Sequence, residues 1–302
     1  RWSANANAWN GWSFGGERLT TGVNVNGNAT LHSNWMLLYS ADTELRSLRT
    51  DALRGGPAIV APAYSAFTGG IFSDDRRVVS GRLVGGGWRE WETGGGGWNA
   101  SAYVAIRPSS RVRLSLGPDF SRGTDPWAYV ATATETDGGT PHYVFGRLRQ
   151  STAALTARLD YAFTPRLTLE FYAQPFVATG GYDAFREVAD PRAARFGDRF
   201  RAYGDELRLA DGVYAVEGGA GDEPAYTWRQ PDFNLKELRS NLVVRWEYRP
   251  GSTLFLVWSQ GRQNLDGPGT FQLARDFGRL LDEDRSPSTH VLLLKMSYWL
   301  DL

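Results

Sequence analysis

The chain has 302 residues, with 33 basic and 33 acidic side chains and no cysteine. Its zero formal net charge gives no electrostatic basis for binding nucleic acid, and the lack of thiols excludes disulfides and thiolate metal sites. No run of residues approaches the eighteen apolar positions of a membrane helix. Thirteen per cent aromatic residues and 35 glycines instead favour strands and turns.

Alternation of apolar and polar residues predicts about thirteen strands in a single domain, 1–302. The predicted strands are roughly 1–12, 18–40, 58–73, 76–92, 97–107, 111–122, 127–136, 142–149, 152–163, 166–179, 236–249, 252–262 and 290–302. The two strands 142–149 and 152–163 require a tight turn near Gln150 and Ser151. An odd count indicates a missed strand or a barrel that begins before Arg1, because bacterial single-chain barrels have even strand numbers.

Three hairpins share one style of short turn. Pro108-Ser109-Ser110, Thr164-Pro165-Arg166 and Arg249-Pro250-Gly251-Ser252 each join two strands whose apolar residues recur at every second position. In the strand that precedes each turn, alternating residues form two rows. One row is apolar or aromatic, and the other is polar or charged. This pattern predicts sheets with one wholly apolar face, which a soluble sandwich would not leave outward.

Long polar segments lie at the other ends of these hairpins: 41–56, about 181–234 and about 263–289. Short turns on one side and long loops on the other are typical of a transmembrane antiparallel outer-membrane β-barrel, whose turns face the periplasm and whose loops are extracellular. The aromatic content of 181–234 predicts that this loop folds over the barrel mouth. Helical spacing of Phe271, Ala274, Phe277 and Leu281 predicts a short helix in 263–289.

Aromatic residues gather near the short turns and the C-terminus, where they predict the inner aromatic girdle of a membrane barrel. These residues are Tyr161, Phe163, Trp246, Tyr248 and Tyr298.

Charged residues occupy the polar rows and are the candidates for lining the barrel interior: Arg107, Arg111, Arg113, Arg158, Asp160, Glu170, Arg239, Arg245 and Glu247. One interpretation makes them a ring of charge that selects solutes. The other makes them a mutually neutralising network between adjacent strands, which is the default for a polar interior.

Catalytic and cofactor motifs are scarce. The chain has three histidines, none in a metal-ligand spacing, and neither a Gly-x-Ser-x-Gly elbow nor a phosphate loop. Acidic residues in 181–234 lack the spacing of a calcium loop. We therefore predict no metal and no cofactor, and keep a membrane-embedded hydrolase only as the weakest of three functions.

Several segments together resemble a known family. The run 238–258, with its core Arg245-Trp246-Glu247-Tyr248-Arg249-Pro250-Gly251-Ser252-Thr253, is similar to the C-terminal part of domain-of-unknown-function family 5916. Further similar pieces are 53–57, 143–145, 173–176, 231–234 and 295–300. The resemblance implies an envelope protein in which a carbohydrate-binding family 9-like module precedes a barrel region longer than this chain, and it supplies no catalytic residue.

Three functions follow as hypotheses. The first is a pore or uptake channel for small or sugar-like solutes, and the second is an anchor with a plugged interior that displays a sugar-binding module. The third is the embedded hydrolase. The expected partners are outer-membrane lipid, the barrel-assembly machinery during insertion, and glycans or another envelope protein.

Overall fold

The computed structural model describes residues 1–135, 139–218 and 224–300, in which strands make up most of the chain and nearly all of its regular secondary structure. Its elements are β1 (Trp2–Trp12), β2 (Arg18–Thr30), β3 (Met36–Glu44), β4 (Ser47–Arg49), β5 (Ile59–Ala61), β6 (Tyr64–Phe72), β7 (Val79–Glu90), β8 (Gly96–Ser109), β9 (Val112–Thr134), β10 (Pro141–Thr164), β11 (Leu167–Val188), β12 (Phe200–Ala202), β13 (Leu207–Ala210), β14 (Val213–Val216), β15 (Tyr226–Arg229), β16 (Phe233–Arg249), β17 (Ser252–Asn264), α1 (Leu273–Leu281) and β18 (Ser288–Ser297). A single 3-10 turn covers Phe196–Arg199. No helix in these ranges has the length and apolar character needed to cross a membrane.

One large antiparallel sheet dominates the fold. Its strands follow the order β1-β2-β3-β6-β7-β8-β9-β10-β11-β16-β17-β18, with β12 paired beside the end of β11. The all-β antiparallel architecture expected from the sequence is confirmed. The last strand pairs with β17, from Thr253 opposite Ser297 to Arg262 opposite Ser288. Within the described ranges β1 and β18 are not paired with each other, so the sheet has two open edges.

The predicted turn at Gln150 and Ser151 is wrong, because β10 runs straight through it. Both residues lie in an unbroken register, opposite Gly123 and Arg122 of β9. Thus 111–122 and 127–136 form one strand, as do 142–149 and 152–163; residue 136 lies outside the described residues. A register shift between Gly146 and Leu148 explains the error, since a bulge moves the apolar alternation by one residue and imitates a break.

Other predicted boundaries also change. The segment 18–40 is two strands, joined by a turn at residues 31–35 in which Asn34 has a positive φ of 62°. Asn tolerates this left-handed conformation better than most residues. The segment 58–73 divides into β5 and β6, and β5 leaves the main sheet to pair with β4. The predicted loops 41–56 and 181–234 begin later than expected, because β3 extends to Glu44 and β11 extends to Val188. The last two residues of the predicted strand 290–302 lie outside the described residues.

The strand register separates two faces, because directly opposite residues on paired strands point to the same side. One continuous row across six strands consists of Leu114, Leu159, Phe171, Leu242, Trp258 and Leu292. The adjacent row on the other side consists of Ser115, Arg158, Tyr172, Asn241, Ser259 and Val291. We call these sides the apolar face and the polar face.

The separation extends to the N-terminal strands. On the polar face, Asn5, Asn26, Ser40, Thr68, Gly86 and Asn99 form another row. On the apolar face, large side chains are exposed, with 56% of Phe67, 54% of Leu83 and 71% of Leu292 accessible. A soluble monomer rarely leaves so extensive an apolar surface uncovered. This face therefore requires cover from lipid or from another protein surface.

The strands β9, β10 and β11 are the longest and carry a small packed core at the loop end. Val144 is buried with Phe185, Tyr226 and Trp228, whereas the next residue, Phe145, is buried with Leu53, Ile59 and Phe200. Because successive strand residues point to opposite sides, these two clusters lie on opposite sides of the sheet. The strands β13–β15 form their own sheet and contribute to the Val144 cluster.

Candidate functional site

The candidate interior residues share the polar face wherever they lie in a strand. Asp160 is opposite both Arg113 and Glu170, so a basic side chain and two acidic ones form one row. Arg107, Arg111, Arg113, Asp160 and Glu170 together line a cavity of about 320 Å³ beside the short turns. The structure therefore brings five of the nine residues together, with Arg111 in the turn before β9.

The remaining four lie on neighbouring strands and have local partners. The guanidinium of Arg158 lies 5.0 Å from the ring centre of Tyr172. Arg245 and Glu247 approach to 3.9 Å, and Arg239 approaches Glu237 to 3.6 Å. These contacts are loose or partly exposed, so each contributes little to stability. Their role in lining a pore stays a prediction.

The candidate girdle residues lie at the short-turn end of the sheet. Tyr161 and Phe163 pack edge to face with ring centres 4.4 Å apart, and Trp246 and Tyr248 do so at 6.0 Å. Tyr248 donates a hydrogen bond to the carbonyl of Ser297 at 3.2 Å. Tyr298 follows β18 and accepts a hydrogen bond from Arg249 at 2.5 Å. The cluster has the amphipathic character of an interfacial belt, and its assignment as a girdle stays a prediction.

Two loop segments meet across the polar face: residues 189–200, from the loop that the sequence predicts to fold over the mouth, and residues 45–63, whose contact with that loop the sequence does not predict. We name residues 45–63 and 189–200 together the clasp. The amide of Val60 donates to the carbonyl of Pro191 at 2.9 Å. The first segment joins β3 to β6 and the second follows β11, with four strands between β6 and β11 in the sheet. Their contact requires the sheet to curve with its polar face inward.

Arg199 holds the clasp together. Its side chain is fully buried and donates to the carbonyls of Ala193 at 2.9 Å, Val60 at 3.0 Å and Ala194 at 3.2 Å. The carboxylate of Glu92 lies 3.6 Å away and also pairs with Arg46. A planar guanidinium with donors in a fixed fork suits such a set of acceptors. Arg199 therefore joins both clasp segments to the β7–β8 connection.

A second cavity, of about 590 Å³, lies beside the clasp on the polar face. Three aromatic residues, Tyr64, Trp88 and Trp127, and three carboxylates, Glu44, Glu90 and Asp125, contribute to its wall. Trp127 donates its indole N–H to Glu90 at 2.9 Å, and its backbone N–H to Asp125 at 3.0 Å. The sequence does not reveal this site, because these six residues come from four strands, β3, β6, β7 and β9, and their spacing follows no motif.

Glu187 fastens the β13–β15 sheet to the long strands, well beyond the apolar rows. Burial raises the pKa of Glu187, but hydrogen bonds from Tyr226 at 2.8 Å, His142 at 2.9 Å and Arg201 at 3.0 Å outweigh it and hold that pKa below its usual value. Burial, reinforced by the Glu187 carboxylate, raises the pKa of Tyr226 to about 12. This cluster has the features of a structural attachment, with every acceptor engaged by a donor from a different element.

The segment after β17 packs on the apolar-face side of the sheet. The helix α1 contacts β11, β16 and β17 and lies where the spacing of Phe271 to Leu281 predicts a helix. It covers Lys236, which is fully buried and donates to Asn264 at 2.9 Å and to the carbonyl of Asp266 at 2.6 Å. This position makes the segment an outer lobe of the sheet and not a plug of its polar side.

One histidine lies beside a serine, which bears on the hydrolase hypothesis. His290 Nε2 is 3.0 Å from the Ser288 hydroxyl, and that hydroxyl donates to Glu283 at 2.6 Å. The indole N–H of Trp258 donates to His290 Nδ1 at 3.1 Å. Nδ1 is thus the acceptor and Nε2 carries the proton, which is the wrong tautomer for a base that activates serine. The geometry does not support a hydrolase at this position.

The chain belongs to the family described as Domain of unknown function (DUF5916), whose model matches residues 16–302. This confirms the resemblance found in the sequence. No curated protein sequence matches the chain.

Two solved structures are similar to the chain at low identity. One is a siderophore receptor, PiuA, from Acinetobacter baumannii, at 9% identity and a TM-score of 0.46, covering 98% of this chain. The chain spans 46% of the length of that receptor. The other is the NanC porin, at 8% identity and a TM-score of 0.23, covering 98% of this chain and 99% of the porin.

Proposed function

We propose that the chain is the membrane-spanning part of an outer-membrane β-barrel that passes small polar solutes through its interior. The separation of the two faces carries this proposal. A row of apolar side chains extends along β11 from Leu167 to Val177, and eleven residues match the nine to eleven that a tilted strand needs to cross the hydrocarbon core. Lipid is the phase that such a face requires, and water is the phase that the polar rows require.

Closure of the sheet is part of the proposal. An unpaired strand edge in lipid costs several kcal/mol for each orphan backbone group. The free edges of β1 and β18 therefore pair in the membrane, either with each other or with further strands. The barrel-assembly machinery is the expected partner during this step.

Orientation follows from the connections between strands. The turns at 110–111, 165–166 and 250–251 lie at one end, and the clasp and the segment 265–287 lie at the other. We assign the first end to the periplasm and the second to the outside of a Gram-negative cell. Tyr161, Phe163, Trp246, Tyr248 and Tyr298 then lie at the inner interface.

A second function, an anchor with a closed interior, is favoured by one observation. The clasp crosses the polar face at the loop end and is held by a buried arginine. In the pore hypothesis the clasp narrows the mouth, and in the anchor hypothesis it seals the mouth. Conductance distinguishes the two, since a sealed barrel passes no ions.

We expect the purified protein to form ion-conducting channels in planar bilayers. Replacing Arg158 or Arg245 with glutamate should shift the reversal potential towards cation selectivity, because each change places a negative charge on the polar face. Arg122→Glu is the matched control, since Arg122 lies opposite Trp98 on the other face and should leave selectivity unchanged. A wild-type protein that inserts but conducts nothing would favour the anchor.

A further inference from the structure

The cavity beside the clasp combines acidic groups with aromatic walls. Tyr64 and Trp88 are 38% and 37% exposed, so their rings remain accessible to a solute. Trp127 is held in place by its two hydrogen bonds to Glu90 and Asp125. At about 590 Å³ the cavity is in the size range of small-molecule sites.

The carboxylates of this cavity are not neutralised by protein cations. No arginine or lysine nitrogen lies within 4 Å of Glu44, Glu90 or Asp125 in the part of the chain that the structure describes. Their hydrogen-bond donors are neutral: Thr20 donates to Glu44, Thr93 and Trp127 donate to Glu90, and the backbone of Trp127 donates to Asp125. In the described residues, no ion pair within the protein therefore compensates these carboxylates.

The nearby arginines are engaged elsewhere. Arg49 lines the cavity but makes two 2.8 Å hydrogen bonds to Asp51. Arg186 interacts electrostatically with Asp125. Its guanidinium carbon lies 5.8 Å from the ring centre of Phe196 and 5.4 Å from that of Phe200. A neutral solute would leave the excess negative charge uncompensated, whereas a cation would compensate it.

We propose that this cavity binds a small quaternary ammonium cation, with its N-methyl groups against the rings of Tyr64, Trp88 and Trp127 and its positive charge facing the three carboxylates. Aromatic faces attract ammonium groups through their quadrupoles, and the carboxylates attract the positive charge at close range. The proposal deepens the proposed function by naming a class of solute. It rests on the proposed function, because a solute reaches the cavity only if the polar face is open to the outside of the cell.

Calorimetric titration of the full chain in detergent with choline chloride tests this site, with sodium chloride at equal ionic strength and glucose as the comparison solutes. Saturable binding of choline is expected, and no binding of glucose. Glu90→Gln and Asp125→Asn should each weaken choline binding about tenfold, the effect of one charge at close range in a partly desolvated site. Trp88→Leu should weaken it while leaving every charge in place.

Asp119→Asn is the matched control, because Asp119 lies on β9 opposite Ala154, on the same face as Asp125, and is outside the cavity. It should bind choline as the wild type does. Equal binding by the wild type and the Glu90→Gln, Asp125→Asn double variant would overturn the proposal, as would no saturable choline binding or equal binding of glucose. Binding is measured without a membrane, so a protein that binds choline but does not conduct refutes the pore alone.

Discussion

In the proposed pore, replacing Arg199 with methionine should release the clasp and increase ion flow severalfold. Methionine fills similar space but donates no hydrogen bond, so the carbonyls of Val60, Ala193 and Ala194 lose their donor. Leaving one buried polar group unsatisfied costs about 1–3 kcal/mol. The carboxylate of Glu92 also loses its buried partner at 3.6 Å.

Two readouts report this release. Single-channel conductance should rise, and trypsin should cleave within 45–63, where the folded clasp protects the chain. Arg195→Met is the matched control, since Arg195 is exposed and belongs to the same segment. If Arg199→Met left both conductance and cleavage as in the wild type, the clasp would not be what narrows the mouth.

Replacing Phe171 with arginine should prevent assembly of the protein in the membrane, whereas Gln174→Arg should be tolerated. Phe171 lies on the apolar face between Leu159 and Leu242, near the middle of the row from Leu167 to Val177. An arginine facing lipid at the bilayer midplane costs about 2–4 kcal/mol. Gln174 is opposite Arg239 on the polar face, where another charge remains in water.

The measurement is the fraction of protein in the outer membrane that migrates faster on an unheated gel than after boiling, a property of folded barrels. Both variants add the same charge to the same strand, so net charge is matched. Equal assembly of the two variants would show that the apolar face does not contact lipid.

The two faces of the sheet could be predicted from the sequence, because apolar and polar residues alternate within each single strand. In β16, Leu242, Val244 and Trp246 alternate with Asn241, Arg245 and Glu247, and the register assigns these sets to opposite sides. The same reasoning failed at 123–152 because register shifts in β9 and β10 move the alternation by one residue. In a polar stretch of sequence, the extra residue of a bulge cannot be distinguished from a turn.

Long-range contacts could not be predicted from periodicity. Arg199 and Val60 are separated by 139 residues. The groups that accept hydrogen bonds from Arg199 are backbone carbonyls, and every residue type has one, so the sequence does not mark them. Lys236 did leave a signal, since it is a charged residue on the side of β16 that carries Leu238 and Leu242. Its position marks where the outer lobe covers the sheet, but only the structure shows what covers it.

The central claim is that one face of the sheet lies in lipid and the other in water. Because the chain has no cysteine, single cysteines can be placed along β10 without any background reaction. At Ala154, Thr156 and Arg158, on the polar face, a charged water-soluble thiol reagent should modify the protein in intact outer membranes. At Leu155, Ala157 and Leu159, only a maleimide dissolved in the membrane should react. Equal modification of both rows by the charged reagent would contradict the account.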